Sequence, residues 1–217
     1  MNKKIVKDIT IEQIIEVCCY ISLPLLSLIV ATLVMSFCLS GEINSNINNV
    51  SSCGIMFLNF SFPMIVILGV IPTFILIISK KCTGRELGFI ITKKSTYLIL
   101  IICIGVITVC AVCLERQSLE ISLTMIIIHF LCVAISEEIM LRSILYYHTK
   151  KMFGCILNCI VNGLIFAFIY HSNEEFLPNL IIRFPLGFLL AYVRFRQDDV
   201  YASVGIHWMY NILISTI

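Results

Sequence analysis

The feature that most constrains this chain is a series of seven apolar runs, each long enough or nearly long enough to cross a lipid bilayer. They occupy residues 17–39, 55–79, 96–114, 121–147, 153–171, 176–193 and 200–217. A membrane-spanning helix needs about 20 predominantly apolar residues, because its backbone hydrogen bonds must be satisfied within the segment. The sequence therefore predicts an all-α, polytopic membrane helical bundle of about seven transmembrane helices, or eight if Pro63 and Pro72 divide the second run.

Composition excludes the ordinary soluble classes of protein. Of the 217 residues, 59% are hydrophobic and 13% are charged, whereas a soluble domain carries about 25% charged residues. Seven spans with short loops use the whole length, so residues 1–217 are predicted to form a single transmembrane domain in the lipid bilayer. The formal net charge of +2 gives no indication of a nucleic-acid partner.

The distribution of Lys and Arg predicts which side of the membrane each loop faces. The first run has 23 residues, more than the roughly 7–15 of a signal peptide's apolar core, so it is interpreted as a retained span. With a cytoplasmic N-terminus, the cytoplasmic segments hold twelve basic residues and the opposite side holds Arg116. The richness in Ile and Asn favours a bacterial plasma membrane. Because cytoplasmic loops are enriched in Lys and Arg, we expect an integral membrane protein with its N-terminus cytoplasmic and its C-terminus opposite. The twelve are Lys3, Lys4, Lys7, Lys80, Lys81, Arg85, Lys93, Lys94, Lys150, Lys151, Arg194 and Arg196.

The eleven cysteines do not form an obvious disulfide framework. Nine of them lie within or beside apolar runs, where cysteine packs as a small hydrophobic residue. Cys110 and Cys113 form a CxxC pattern inside the third run. At this depth we interpret the pattern as packing rather than as redox or metal chemistry.

Glu137 and Glu138 are the most unusual residues of the chain, because they lie side by side in the fourth apolar run. An ionisable side chain at bilayer depth costs several kcal/mol unless it is paired or hydrated, so each is a candidate for function. On a helix Glu138 and Arg142 stand at positions i and i+4 and are able to form an ion pair. Glu137 is rotated by about 100° and faces elsewhere. A purely structural ionic link between helices is the alternative interpretation.

Two histidines and an amide add to this group. His171 ends the fifth run, and His207 and Asn211 share one helix face at i and i+4 in the seventh. Carboxylates, imidazoles and a carboxamide on three spans favour a catalytic site over simple packing. His129 is predicted to be at most a supporting partner of Glu137, and His148 a solvated residue at the end of its span.

The order of these residues resembles that of the CPBP intramembrane endopeptidases, which include the type II CAAX prenyl endopeptidases and the bacterial Abi proteins linked to bacteriocin self-immunity. The resemblance covers residues 131–217. One position departs from the family pattern, since Ala167 stands where a Phe usually lies four residues before the histidine, with Phe166 and Phe168 on either side. The matching residues are Glu137, Glu138, Arg142, His171, His207 and Asn211.

The resemblance implies proteolysis within the membrane, with Glu137 and His171 activating a water and His207 and Asn211 holding the oxyanion. Both metalloendopeptidase and glutamate-dependent mechanisms have been described for such proteins. The chain has no HExxH helix, although Glu137, His171 and His207 have the donor types of a zinc site. We expect a glutamate-dependent hydrolase without a cofactor, with zinc as the alternative.

Three functions are compatible with these features. The first is an intramembrane endopeptidase acting on a peptide or on a lipidated or membrane-associated protein, in bacteriocin or peptide maturation or self-immunity. The second is a non-catalytic immunity protein that sequesters a bacteriocin or its receptor. The third is a small proton-coupled transporter, which would show inverted repeats that the sequence lacks.

The proposed site makes a geometric demand on the fold. Glu137 lies toward the cytoplasmic half of the fourth span, whereas His171 ends the fifth, so a fully spanning fifth helix would separate them. We expect one polar cavity enclosed by the fourth, fifth and seventh spans, with side-chain separations of about 4–8 Å.

Overall fold

Seven helices form the regular secondary structure of the residues that the computed structural model describes, 9–40, 53–115, 123–172 and 175–215. Their positions coincide with the seven apolar runs, so the predicted all-α polytopic bundle is confirmed. Lys3, Lys4, Lys7 and Arg116, which the predicted orientation uses, lie outside the described residues. The helices are α1 (Ile11–Ser40), α2 (53–78), α3 (Lys94–Glu115), α4 (Leu123–Met152), α5 (Cys155–Tyr170), α6 (Phe176–Gln197) and α7 (Tyr201–Ile214).

Five of these helices are long and apolar enough to cross a membrane, namely α1, α2, α3, α4 and α6. In contrast, α5 has eleven α-helical residues followed by five in wider, i→i+5 turns. Its length is therefore about 24 Å, less than the roughly 30 Å of a hydrocarbon core. The described part of α7 is also short, with 14 residues.

Helix α4 lies at the centre of the bundle. Every residue from Met140 to Thr149 is buried, as expected for a helix that is covered on all sides. Met140 and Ile144 belong to a cluster with residues of α2, and Leu141 and Leu145 pack with Phe166 of α5. The acidic pair Glu137 and Glu138 therefore stands on the helix that is most enclosed by its neighbours.

Helix α2 remains one helix despite its two prolines. Residues 57–61 and 65–70 form wider i→i+5 turns, and each widened stretch comes just before the turn that contains Pro63 or Pro72. Because proline cannot donate to the carbonyl of residue i−4, the wider turns accommodate the missing bonds. The second apolar run is therefore not divided into two helices.

Helices α5 and α6 approach each other closely at two glycines. A Cβ atom on Gly187 would lie 2.8 Å from Phe166 Cδ1 and 3.0 Å from Gly163 Cα. Small residues at such a contact let two helix backbones pack directly, which is a usual basis of helix association in membranes. This contact fixes Phe166, and through it the end of α5.

Helix α1 is peripheral, and many of its large apolar side chains are exposed. Its first turns are attached to the rest of the chain by a polar cluster, in which Glu16 forms an ion pair with Lys81 and lies 3.4 Å from His148 Nδ1. His148 is only 5% exposed and stacks on the Tyr20 ring with a centroid separation of 4.7 Å. The prediction that His148 is a solvated end residue is therefore wrong, because α1 covers it.

The cysteines contribute to packing. The ten cysteines whose side chains the structure describes carry no disulfide bond. Cys103 and Cys110 are buried on α3, where Cys110 packs with Ile107 and Ile212. Cys113, the second residue of the CxxC pattern, is exposed.

Candidate active site

The short α5 removes the conflict in depth between Glu137 and His171. About 22 Å of α4 separates Glu137 from Met152, and α5 turns back after residues 153–154 and extends for about 24 Å. The end of α5 therefore returns to the level of Glu137. The conflict arises only if the fifth apolar run is treated as a complete span.

Glu137 faces two imidazole rings at distances slightly longer than a hydrogen bond. Its Oε2 atom is 4.0 Å from His171 Nε2 and 3.9 Å from His207 Nε2. These separations exceed hydrogen-bonding distance, and Oε2 has no hydrogen-bond partner among the described residues although it is buried. A water oxygen placed about 2.8 Å from two such atoms satisfies normal hydrogen-bond geometry. The three side chains can therefore share one water.

Glu138 fixes the orientation of His207. Glu138 Oε1 lies 2.9 Å from His207 Nδ1. Because an ionised carboxylate can only accept a hydrogen bond, Nδ1 carries the proton and donates it to Glu138. The other ring nitrogen, Nε2, is thereby turned toward Glu137.

Arg142 forms the ion pair with Glu138 that the i, i+4 spacing predicts. Arg142 Nε is 3.4 Å from Glu138 Oε2, and both side chains have no exposed surface. Arg142 Nη2 also donates to the backbone oxygen of Gly187, at 3.1 Å. The charged group thus links α4 to α6, while Glu138 links α4 to α7 through His207.

Phe166 takes the place that the family pattern gives to a Phe four residues before the histidine. Its ring makes edge contacts with the imidazoles of His171 and His207, with centroid separations of 4.8 and 5.6 Å. Residues 166–170 form wider turns, so the residue five positions before His171, rather than four, lies on its face. The departure at Ala167 is therefore compensated by the local helix geometry.

All four of the proposed water-activating and oxyanion-binding residues line one cavity of about 410 Å³. Residues of two further helices also line it. The prediction that α4, α5 and α7 enclose the cavity is therefore incomplete. The additional lining includes Met64 of α2 and Arg183 and Leu186 of α6.

Of the residues that support the site, the sequence predicts only His129. His129 lines the same cavity, and its Nδ1 atom lies 3.0 Å from Ser61 Oγ on α2. Asn179 donates from Nδ2 to the backbone oxygen of His171 at 2.8 Å, and it accepts from Arg183 at 3.3 Å. The sequence marks Arg183 as a candidate for function, because it is a cation inside an apolar run. It contains no comparable indication for Asn179 or Ser61.

Arg194 supports the site, although its position at the end of an apolar run predicts a solvated charge at the membrane boundary. It is 1% exposed, and its Nε atom donates to the backbone oxygen of Arg142 at 3.0 Å. Its Nη2 atom donates to the backbone oxygen of Glu86 at 3.2 Å. One guanidinium thus connects the loop between α2 and α3 to the helix that carries the acidic pair.

The side chains do not match a metal site as they are placed. No group of three or more His, Cys, Asp or Glu side chains in the described ranges could hold a metal ion. Glu137, His171 and His207 have suitable donor types, but Glu137 Oε2 is 4.0 Å from His171 Nε2 and 3.9 Å from His207 Nε2. Tetrahedral zinc ligands at about 2.1 Å from the metal are about 3.4 Å from one another.

Comparison with known proteins finds a similarity in the C-terminal part of the chain. Residues 119–213 match the family model described as type II CAAX prenyl endopeptidase Rce1-like. This range contains all six candidate residues, and the match confirms the resemblance to the CPBP family. No curated protein and no solved structure matches the chain.

Proposed function

We propose that this protein is a glutamate-dependent intramembrane endopeptidase, because residues 119–213 match the family model of Rce1-like type II CAAX prenyl endopeptidases. The observation that carries the proposal is the buried Glu137 Oε2 atom, which faces His171 Nε2 and His207 Nε2 at 4.0 and 3.9 Å. A carboxylate held in a poorly solvated cavity beside two imidazoles is suited to act as a base toward water.

In the proposed reaction, Glu137 takes a proton from a water that His171 holds by a hydrogen bond. The water oxygen forms a bond to the carbonyl carbon of the substrate, and the carbonyl oxygen becomes an oxyanion. Glu137 then gives its proton to the peptide nitrogen as the carbon–nitrogen bond breaks. The products are a carboxylic acid and an amine, so the peptide bond is hydrolysed with water as the second reactant.

His207 and Asn211 are proposed to stabilise the oxyanion. Asn211 can donate through its amide group. His207 can donate from Nε2 as an imidazolium, with Glu138 accepting from its Nδ1. Donors placed where negative charge develops typically contribute about 3–4 kcal/mol to transition-state stabilisation.

The substrate is proposed to be a peptide or a lipidated or membrane-associated protein, and the biological role bacteriocin or peptide maturation or self-immunity. The resemblance to the Abi branch of the family supports that role. A non-catalytic immunity protein would not need a buried carboxylate oxygen without a partner among the described residues. We place the protein in a bacterial plasma membrane because of its richness in Ile and Asn, with its N-terminus cytoplasmic, following the distribution of Lys and Arg.

Replacement of Glu137 by Gln tests the proposed base. The variant keeps the size of the side chain but cannot accept the proton of the water, so cleavage should fall by at least about 100-fold. Purified protein in vesicles is incubated with internally quenched peptides that carry, or lack, a farnesylated cysteine, and cleavage is followed by fluorescence and mass spectrometry.

The matched control is Glu12→Gln, which changes an exposed carboxylate at the start of α1. This variant should cleave at the wild-type rate. Cleavage by Glu137→Gln at the rate of Glu12→Gln would contradict the proposed role of Glu137 and favour the sequestration hypothesis.

A further inference from the structure

A second cavity lies between α1 and α2, away from the proposed active site. Its volume is about 390 Å³, and its walls are mainly apolar. Among the described residues it shares no lining residue with the cavity of Glu137. We call it the α1–α2 groove. It is lined by Glu16, Cys19, Tyr20, Leu23, Pro24, Ser27, Ile67, Ile71, Pro72, Ile75 and Lys81.

The length of the groove corresponds to one leaflet of a bilayer. Its lining on α1 extends from Glu16 to Ser27, a distance of about 16 Å along the helix. This is about half of the 30 Å hydrocarbon core. The charged residues lie at one end only, so the groove has the polarity of a single lipid, with a headgroup at Lys81 and an acyl chain toward the bilayer centre.

The polar end of the groove carries more positive than negative charge. Lys81 is half exposed at 51% and pairs with Glu16, which is also partly exposed. Exposed ion pairs of this kind contribute at most about 1 kcal/mol, so Glu16 does not prevent Lys81 from binding an anion. The hydrogen bond with Glu16 raises the pKa of Lys81 above its ordinary value, and Lys81 stays charged.

A second ammonium group is held next to Lys81 by Tyr147. The hydroxyl of Tyr147 donates to the backbone oxygen of Lys81, and Lys151 Nζ lies 3.7 Å from the centroid of the Tyr147 ring. Lys81 and Lys151 therefore both lie near Glu16 at this end. An anionic headgroup is therefore favoured over a zwitterionic one.

The backbone conformation of Lys80 ends α2 just before Lys81. Its φ angle of 54° lies in the left-handed region, which costs a residue with a side chain about 1–2 kcal/mol. Glycine is the usual residue where a helix ends in this way. Lys80 N donates to the backbone oxygen of Ile77 and Lys81 N donates to that of Leu76, so Lys80 caps α2 and directs the chain to Lys81.

We propose that the α1–α2 groove binds one anionic phospholipid of the surrounding bilayer, with an acyl chain between α1 and α2 and its phosphate at Lys81. Pro24 and Tyr20 both line the groove. Because Pro24 cannot donate to the carbonyl oxygen of Tyr20, this turn of α1 lacks one helical hydrogen bond on the side that faces the groove. The lipid site is independent of the proposed peptidase activity.

Lipid occupancy measured by native mass spectrometry tests the proposal. The detergent-purified full-length protein is mixed with equal amounts of phosphatidylglycerol and phosphatidylcholine, and bound lipids are identified by mass. We expect one phosphatidylglycerol per chain, retained about tenfold more than phosphatidylcholine. Lys81→Gln should abolish this preference, and Leu23→Trp, which fills the groove, should abolish retention of both lipids.

Two control variants separate a defined site from general attraction to the membrane surface. Lys150→Gln removes an exposed lysine at the same end of α4 that does not line the groove, and it should keep the preference. Leu26→Trp changes a residue of α1 that is 61% exposed, as is Leu23, but that does not line the groove. It should keep the bound lipid.

Any one of the following results would overturn the proposal. The first is equal retention of the two lipids by the wild-type protein. The second is an equal loss of preference in Lys81→Gln and Lys150→Gln, which would indicate diffuse charge. The third is equal retention by Leu23→Trp and Leu26→Trp, or displacement of the lipid by millimolar inorganic phosphate alone. Thermal unfolding of each variant shows that it is folded, and no peptidase assay is needed.

Discussion

Glu137 and Glu138 are neighbours in sequence, yet the fold gives their carboxylates opposite surroundings. A helix rotates them by about 100°, so Glu138 meets Arg142 and His207 while Glu137 faces the cavity. The pairing of Glu138 with Arg142 could be predicted from spacing alone. The contact between Glu138 and His207 could not, because it joins residues on different helices and depends on how α4 and α7 pack.

Replacing Arg142 by Leu should lower stability as well as activity. Removal of one member of a buried ion pair leaves the other charge without compensation and typically costs about 3–5 kcal/mol. Arg142 and Glu138 are both fully buried, so this range applies here. The yield of folded protein and its unfolding temperature in detergent should both fall.

Arg85→Gln is the control for this experiment, since Arg85 is exposed in the loop between α2 and α3. Its yield and unfolding temperature should match those of the wild type. If Arg142→Leu instead folds normally and loses only turnover, Arg142 acts on the substrate rather than on Glu138.

At the scale of helices, the sequence predicts where each helix lies better than how long it is. Hydropathy identifies α5 because its residues are apolar, but an apolar run contains no information on whether its end reaches the membrane surface. The wider turns at residues 166–170 and the contact between Gly163 and Gly187 depend on α6. These tertiary features decide where His171 lies, so the site residues could be predicted and their common depth could not.

Gly187→Ala should separate α5 from α6 and disturb the site. The added Cβ atom would lie 2.8 Å from Phe166 Cδ1, and overpacking of this kind costs about 1–3 kcal/mol. Because Phe166 contacts both His171 and His207, we expect a lower unfolding temperature together with slower peptide cleavage.

Gly105→Ala is a matched substitution on α3, where an added Cβ atom would have no neighbour within 4 Å. It should leave cleavage unchanged and raise stability by about 0.5–1 kcal/mol, since alanine is a better helix former than glycine. Equal effects of the two substitutions on cleavage would show that the α5–α6 contact does not position the imidazoles.

At the scale of the whole molecule, the end that carries the basic loops is also the end that is tied together by hydrogen bonds. Val200 donates from its backbone to Gly88, and the Tyr201 hydroxyl donates to the backbone oxygen of Phe89. Together with Arg194, these bonds attach the loop between α2 and α3 to the turn between α6 and α7. The excess of Lys and Arg on these segments predicts that this closed end is cytoplasmic.

Protease accessibility can test that orientation. A cleavage sequence inserted after Arg85 should be cut in inside-out membrane vesicles and protected in intact cells. The same sequence inserted after Arg116 should show the reverse pattern. Cutting at the Arg85 site in intact cells, with protection at the Arg116 site, would mean that the topology is inverted.

The shortness of α5 also has a consequence for the membrane around the protein. A helix of about 24 Å is roughly 6 Å shorter than the hydrocarbon core it faces, and lipids adapt to such a hydrophobic mismatch by thinning locally. Since thinning costs a fraction of a kcal/mol per ångström, the cost of thinning beside α5 increases with acyl-chain length. We therefore expect the bilayer to be thinnest beside α5, with polar headgroups drawn toward the level of His171.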